Sequence, residues 1–147
     1  MARDYTKIVA WQRAHELTVA VYRISQSFPR EELFGLTSQL RRAVYGTAAD
    51  IVEGSARNSK RDYLHFLNLA EASLRETEYF LLLARDLDYL SEAQHNDMAQ
   101  RVDETFAPLH GLQRAVSKEA GIGGALLALF TSSVAMFVAK HLPAGLA

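Results

Sequence analysis

Residues 59–87 read SKRDYLHFLNLAEASLRETEYFLLLARDL, and their apolar positions keep the period of a helix. Tyr63, Leu67, Ala70, Leu74, Thr77, Leu81 and Ala84 recur at steps of three and four, the repeat of a single helix face. Ser59 followed by Asp62 resembles a capping box, although Asp is a shorter partner than Glu or Gln. A second stripe, Phe66, Leu69, Phe80, Leu83 and Leu87, runs beside the first. One stripe suffices for the core of a monomer, so the second points to a further apolar contact, most simply another subunit. A central helix with a wide buried face would read the same way.

The flanking segments repeat the pattern. Ala14, Leu17, Val21, Ile24 and Phe28 form one stripe, which Pro29 stops. Leu36, Leu40, Ala43 or Val44, Ala48 and Ile51 form the next, with Gly54 read as its C-terminal cap. Ser91 with Gln94 is a second capping box, opening a helix with Met98, Val102, Leu109, Leu112 and Val116. Pro108 sits inside that helix and should kink it by about 20° or more. The prolines are Pro29, Pro108 and Pro143, so 30–107 is free of the one residue that helix interiors exclude. No sustained period-two alternation and no Asn-Gly or Asp-Gly turn argues for strands. Helices of roughly 20 to 28 residues on short links can bury their stripes only against one another. The fold expected for 1–120 is therefore all-α, an antiparallel up-down four-helix bundle.

The 147 residues suffice for one domain with a core, and 49% apolar content excludes intrinsic disorder. With no cysteine, a disulfide scaffold and thiolate chemistry are excluded. The net charge of −1 conceals a division: residues 1–61 carry ten Lys/Arg and six Asp/Glu, whereas 62–120 carry five and eleven. Residues 121–147 hold one charged side chain, Lys140, and 17 of these 27 positions are apolar. This tail reads as an apolar helix packed on the bundle or in an oligomer, as a membrane-associated segment, or as a disordered or swapped extension. No basic stretch followed by an apolar one opens the sequence, so a cytoplasmic protein is expected.

Bundles often house di-iron sites, and Glu92-x-x-His95 and Asp62-x-x-His65 have a suggestive spacing. Each opens its own helix, and a 28-residue helix would hold them roughly 40 Å apart. Both acids are better explained as anions at helix N-termini, and no metal site is expected. His15-Glu16 is followed at the fourth position by Val19 instead of a second His, so it is not a zincin motif. Nucleophile elbows, phosphate-binding loops and dinucleotide fingerprints are missing from the sequence, which points to a non-enzymatic protein without cofactors. The basic residues are more informative. Arg41 and Arg42 lie mid-helix, while Arg57, Lys60 and Arg61 flank the next turn among Asn58 and Ser59. Cations beside a helix N-terminus make a reasonable phosphate site. Solvation, or pairing with acids such as Glu76 and Glu78, is the ordinary alternative.

Val9-Ala10-Trp11-Gln12-Arg13-Ala14-His15-Glu16-Leu17, Phe28-Pro29-Arg30-Glu31-Glu32, Phe34-Gly35-Leu36-Thr37-Ser38-Gln39-Leu40-Arg41-Arg42-Ala43 and Glu53-Gly54-Ser55-Ala56-Arg57 follow one another in order. Together with Tyr63-Leu64-His65-Phe66-Leu67 and Glu76-Thr77-Glu78, they resemble the bacterial four-helix-bundle family encoded in intervening sequences of 23S ribosomal RNA genes. The resemblance covers roughly residues 5–118. It implies an antiparallel bundle assembled as a homopentamer, with a proposed RNA-associated role. A related family, the accessory variability determinants of diversity-generating retroelements, binds nucleic acid with a reverse transcriptase, so RNA, DNA and such a partner protein are implied as partners. Carried over, the recurrent Arg pair falls on Arg41 and Arg42, and the basic turn on Arg57 and Lys60. The chain departs from the pattern at Gly46-Thr47-Ala48-Ala49-Asp50-Ile51-Val52-Glu53-Gly54, where the family has a proline and then Asn-Ile-Ala-Glu-Gly. Losing that proline should straighten the second helix, and Asp50 in place of Asn puts an anion near the basic turn.

The reading that results is an oligomeric binding or scaffold module with a nucleic-acid surface at Arg41, Arg42, Arg57, Lys60 and Arg61. The alternative is a structural oligomer or protein adaptor without nucleic-acid binding, with the tail as its membrane attachment.

Overall fold

The computed structural model of the protein describes residues 3–121. Its helices are α1 (Val9–Ile24), α2 (Leu36–Ser55), α3 (Lys60–Asp86) and α4 (Glu92–Glu119). Each packs antiparallel against its neighbour in sequence, and α1 closes the ring against α4. The architecture is the all-α bundle expected from the stripes. Except for Gly121, the tail read at 121–147 lies outside the described residues. Among the described residues no helix is long and apolar enough to cross a membrane.

The core is built from the predicted faces. Ala14, Leu17 and Val21 of α1 meet Leu40, Val44 and Ile51 of α2, Leu67, Leu74 and Leu81 of α3, and Val102, Leu109 and Val116 of α4. Helix α1 is shorter than its stripe: it stops at Ile24 and tightens into a 3₁₀ turn, Ser25–Ser27, which still delivers Phe28 to the core. Helix α4 is continuous through Pro108. At its start the capping box is complete: Gln94 N–H donates to Ser91 Oγ at 3.2 Å, and Ser91 N–H donates to Gln94 Oε1 at 2.9 Å. At α3 only the Ser59 half forms, as Asp62 N–H donates to Ser59 Oγ at 3.2 Å. The shorter Asp side chain makes no return bond.

Two glycines of α2 face α3. A Cβ on Gly46 would lie 3.2 Å from Ser73 Oγ, and one on Gly54 would lie 2.9 Å from both Phe66 Cβ and Tyr63 Cδ2. Gly54 is thus no cap. It is buried inside the last turn of α2, and the helix ends beyond it at Ser55 with Ala56 in ordinary right-handed conformation. Between the two glycines, Asp50 meets Ser73 Oγ at 3.5 Å. Asp50 therefore faces the middle of α3. It sits seven residues, or about 10 Å of helix, from Arg57, rather than beside the basic turn. Burial pushes its carboxyl pKa up, the Ser73 hydroxyl partly offsets this, and Glu53 adds to the rise.

Helix α3 ends in a Schellman turn: Tyr89 N–H donates to Ala84 O at 2.8 Å and Asp88 N–H to Arg85 O at 2.9 Å. The residue that takes the left-handed conformation is Asp88, with φ 60°. Below it, Glu32 ties the two ends of the bundle floor together. Its Oε2 accepts from Leu36 N–H at 2.9 Å, capping α2, and its Oε1 accepts from the Tyr89 hydroxyl at 3.1 Å.

Gly54→Ala should lower the denaturation midpoint, by about 1–3 kcal/mol in stability, even though alanine is the better helix former. Asp88→Gly should raise it by up to about 1 kcal/mol through relief of the left-handed backbone. Asp50→Asn should stabilise the protein at neutral pH. Because the folded-state pKa of Asp50 is raised, that gain should shrink as pH falls through it and vanish below the unfolded value, where Asp50 is neutral in both states. Urea titrations of the three variants at several pH values check these outcomes.

Candidate functional site

The five basic residues read from the sequence do not form one patch. Arg41 and Arg57 belong to α2 and the turn after it, sixteen residues apart, or about 24 Å at 1.5 Å per residue. Arg41 is half-buried and turned toward α1. Its Nε donates to Ser25 Oγ at 2.9 Å, an Nη donates to Tyr22 O at 3.4 Å, and its guanidinium lies 4.8 Å from the centre of the Tyr22 ring. Arg41 thereby satisfies carbonyl and hydroxyl groups where α1 ends, so its visible role is to latch α1 to α2. Arg42 points out. It shares a polar depression with Gln39, Tyr45, Ser73 and Glu76, so Glu76 is near it as the sequence reading anticipated, though no ion pair forms. Glu78 pairs instead with Arg75, at 3.1 Å.

At the other end of the bundle, Arg57 pairs with Glu53 one turn back and lies 4.5 Å from the centre of the Phe66 ring. Lys60 pairs across helices with Glu119, whose carboxyl is held below its usual range chiefly by the Lys60 hydrogen bond. Arg61 is exposed and has no ion-pair partner among the described residues.

Three cations that the sequence reading did not single out share this end. Arg3 donates to Ser55 O and Arg57 O, each at 3.4 Å, closing the C-terminus of α2, and lies 4.8 Å from the centre of the Tyr63 ring. Arg114 and Lys118 line a groove of about 560 Å³ between α3 and α4, together with Asn68, Glu71, Gln113 and Ser117. The antiparallel register carries the signal for them, since it brings the last turns of α4 beside the first turns of α3. Within the groove, Gln113 Nε2 donates to Glu71 Oε2 at 2.9 Å and to Asn68 Oδ1 at 3.1 Å, and His110 Nε2 meets Glu71 Oε1 at 3.0 Å. The Gln113 bond, then that of His110, holds the Glu71 carboxyl below its usual range. This end of the bundle thus offers a polar groove flanked by Arg61, Arg114 and Lys118.

The second stripe of α3 resolves into two grades. Phe66, Phe80 and Leu83 are half-buried, while Leu69 and Leu87 are exposed. On the side toward α4, Tyr79 and Leu82 are also exposed and line an apolar groove of about 360 Å³ with Arg75, Glu78, His95 and Ala99. Within this groove, His95 Nδ1 is buried and has no partner among the described residues. Asp62-x-x-His65 and Glu92-x-x-His95 open different helices, and among the described residues no three His, Asp or Glu side chains converge as metal ligands would.

Arg41→Ala should cost about 1–2 kcal/mol, because hydrogen bonds to Ser25 and Tyr22 and the contact with the Tyr22 ring go together. Arg42→Ala, with no such partners, should leave stability within about 0.5 kcal/mol of the parent. Thermal and chemical denaturation of the pair checks the difference.

None of the curated proteins matches the chain. Among solved structures, it is similar to a protein of unknown function from the S23 ribosomal protein family of Bacteroides thetaiotaomicron. The TM-score is 0.67 at 22% identity, covering 72% of this chain and 96% of that one. That likeness is one of fold. The family model described as 23S rRNA-intervening sequence protein matches residues 6–111, which span α1, α2, α3 and most of α4. The chain belongs to the 23S rRNA-intervening sequence protein family.

Proposed function

We propose that the protein is a non-catalytic, self-assembling scaffold. The observation that carries this reading is the apolar surface that α3 leaves uncovered. After the core is complete, Leu69, Tyr79, Leu82 and Leu87 of that one helix remain exposed. Exposed apolar side chains scattered singly are ordinary, but adjoining ones such as Tyr79 and Leu82, which line one groove, mark a contact surface. Burial of each would contribute about 25 cal/mol per Å² of apolar area removed from water. A homo-oligomer is the simplest occupant, and the resemblance described above implies five subunits.

A nucleic-acid role is the second reading, favoured by Arg42, Arg61, Arg114 and Lys118, which have no ion-pair partners among the described residues. The family's description names 23S rRNA, which makes RNA the polyanion to try first. Assembly would multiply a weak set of phosphate contacts by effective concentration. Arg41 and Arg57 are poor choices for testing it, because one latches two helices and the other is paired with Glu53.

Sedimentation velocity of the full chain should show a discrete oligomer; a monomer at all concentrations contradicts the scaffold reading. Affinity for structured RNA should fall linearly with the logarithm of salt concentration. The double variant Arg61→Glu, Lys118→Glu should weaken binding and flatten that slope. Unchanged affinity and slope would remove the RNA reading and leave the scaffold.

A further inference from the structure

The loop between α1 and α2 ends in a side chain with almost nothing around it. Phe34 is 92% exposed, and its neighbour Leu33 is exposed as well. The backbone beneath them is held firmly: Glu32 caps α2 and accepts from Tyr89, and Phe28 packs on the Tyr89 ring at 5.8 Å. An aromatic side chain held out from an anchored loop loses little freedom on docking, and such side chains dominate interface energetics. Between α3 and α4 lies the apolar groove lined by Tyr79, Leu82, His95 and Ala99.

Two further observations identify the occupant of that groove. The first is charge. Residues 3–59, the α1–α2 half that carries Phe34, hold eight Lys/Arg and six Asp/Glu; residues 60–121, the α3–α4 half that carries the groove, hold seven and eleven. Groove-to-groove pairing of two copies would set acidic halves together, whereas seating the Phe34 half of one copy on the groove half of another sets opposite charges together. The second is height. Gly46 of α2 faces Ser73 of α3, so in antiparallel register Phe34, twelve residues before Gly46, lies level with about residue 85. Leu82 is three residues from that level, about 5 Å along the bundle axis. A knob on the α1–α2 connection and a groove between α3 and α4 that begins at nearly the same height allow copies to follow one another around an axis parallel to the bundle. Such a head-to-tail contact can close into a ring instead of climbing into a filament.

We infer that Phe34 of one copy inserts between α3 and α4 of the next, into the groove lined by Tyr79, Leu82, His95 and Ala99, and that this heterologous contact is what joins the subunits. The inference rests on the self-assembly proposed above and adds its geometry: each copy has one donor surface and one acceptor surface, and they are different.

Different surfaces can be inactivated separately. Phe34→Asp retains the groove and loses the knob, while Leu82→Asp retains the knob and loses the groove. Each full-length variant alone, checked by circular dichroism for native helix content, should sediment as a monomer. Their equimolar mixture should recover one intact contact per pair and form a 1:1 heterodimer that grows no further, identified by native mass spectrometry. Tyr79→Asp, at a more exposed position, replaces Leu82→Asp should the latter fail to fold. If the unmodified protein is itself monomeric, the scaffold reading falls and this inference with it. If the unmodified protein assembles but Phe34→Asp assembles equally well, or if the mixture stays monomeric, the scaffold stands and the Phe34 contact is wrong. Occupation of the groove by residues 122–147 or by another protein would give that second pattern.

Discussion

Helices α2 and α3 approach so closely at Gly54 that a methyl group there would meet the Cβ of Phe66 and the ring of Tyr63 at 2.9 Å. A glycine inside a helix costs roughly 1 kcal/mol relative to alanine, so contact across this seam has to offset it. The rest of the bundle follows from that approach. It brings Ser73 against Gly46 and Asp50, and it fixes the antiparallel register of the two central helices. Tyr63 is buried beneath Arg3 at the same seam, and Phe66 lies under Arg57, so the basic turn is clamped to the helix it precedes. The register also places the α1–α2 loop level with the C-terminal turns of α3, where Glu32 and Tyr89 join the two connections.

The fold was largely legible because it rests on periodicity. Stripes at three- and four-residue steps located α1, α2, α3 and α4, and Ser91 with Gln94 marked the start of α4 to the residue. Gly54 was misread because a glycine near a helix end has two uses. It can adopt a left-handed cap or admit a neighbour, and only the partner helix shows which applies. Asp88 was missed for the converse reason: a left-handed residue is expected to be glycine, and here an aspartate takes the position. The candidate site was less legible. Arg41 and Arg42 are adjacent in sequence, yet a step of about 100° around the helix sends one toward α1 and the other to solvent. The ion pairs of Arg57 and Lys60 differ in kind. The first is local, at the four-residue step of a helix, while the second joins residues 59 positions apart and emerges only from tertiary packing.

These contacts alter what the charges imply for function. A cation already paired with a carboxylate contributes little toward a phosphate until that pair is broken. Of the cations without such a pair, Arg61, Arg114 and Lys118 flank one groove, while Arg42 lies in a separate depression on α2. The separation of charge between the two halves of the bundle is better suited to joining copies of this chain than to holding a polyanion on one copy.

The absence of cysteine from the sequence allows a direct measurement of how the copies meet. Leu33→Cys places a thiol beside Phe34 without removing it, and Tyr79→Cys places one on the rim of the groove between α3 and α4. Under mild oxidation, an equimolar mixture of these two single variants should form disulfide-linked heterodimers, visible on a non-reducing gel and by mass, while each variant alone remains uncrosslinked. Homodimers of either variant alone, or no crosslink in a mixture that sediments as an oligomer, would contradict a head-to-tail contact between Phe34 and the groove of α3 and α4.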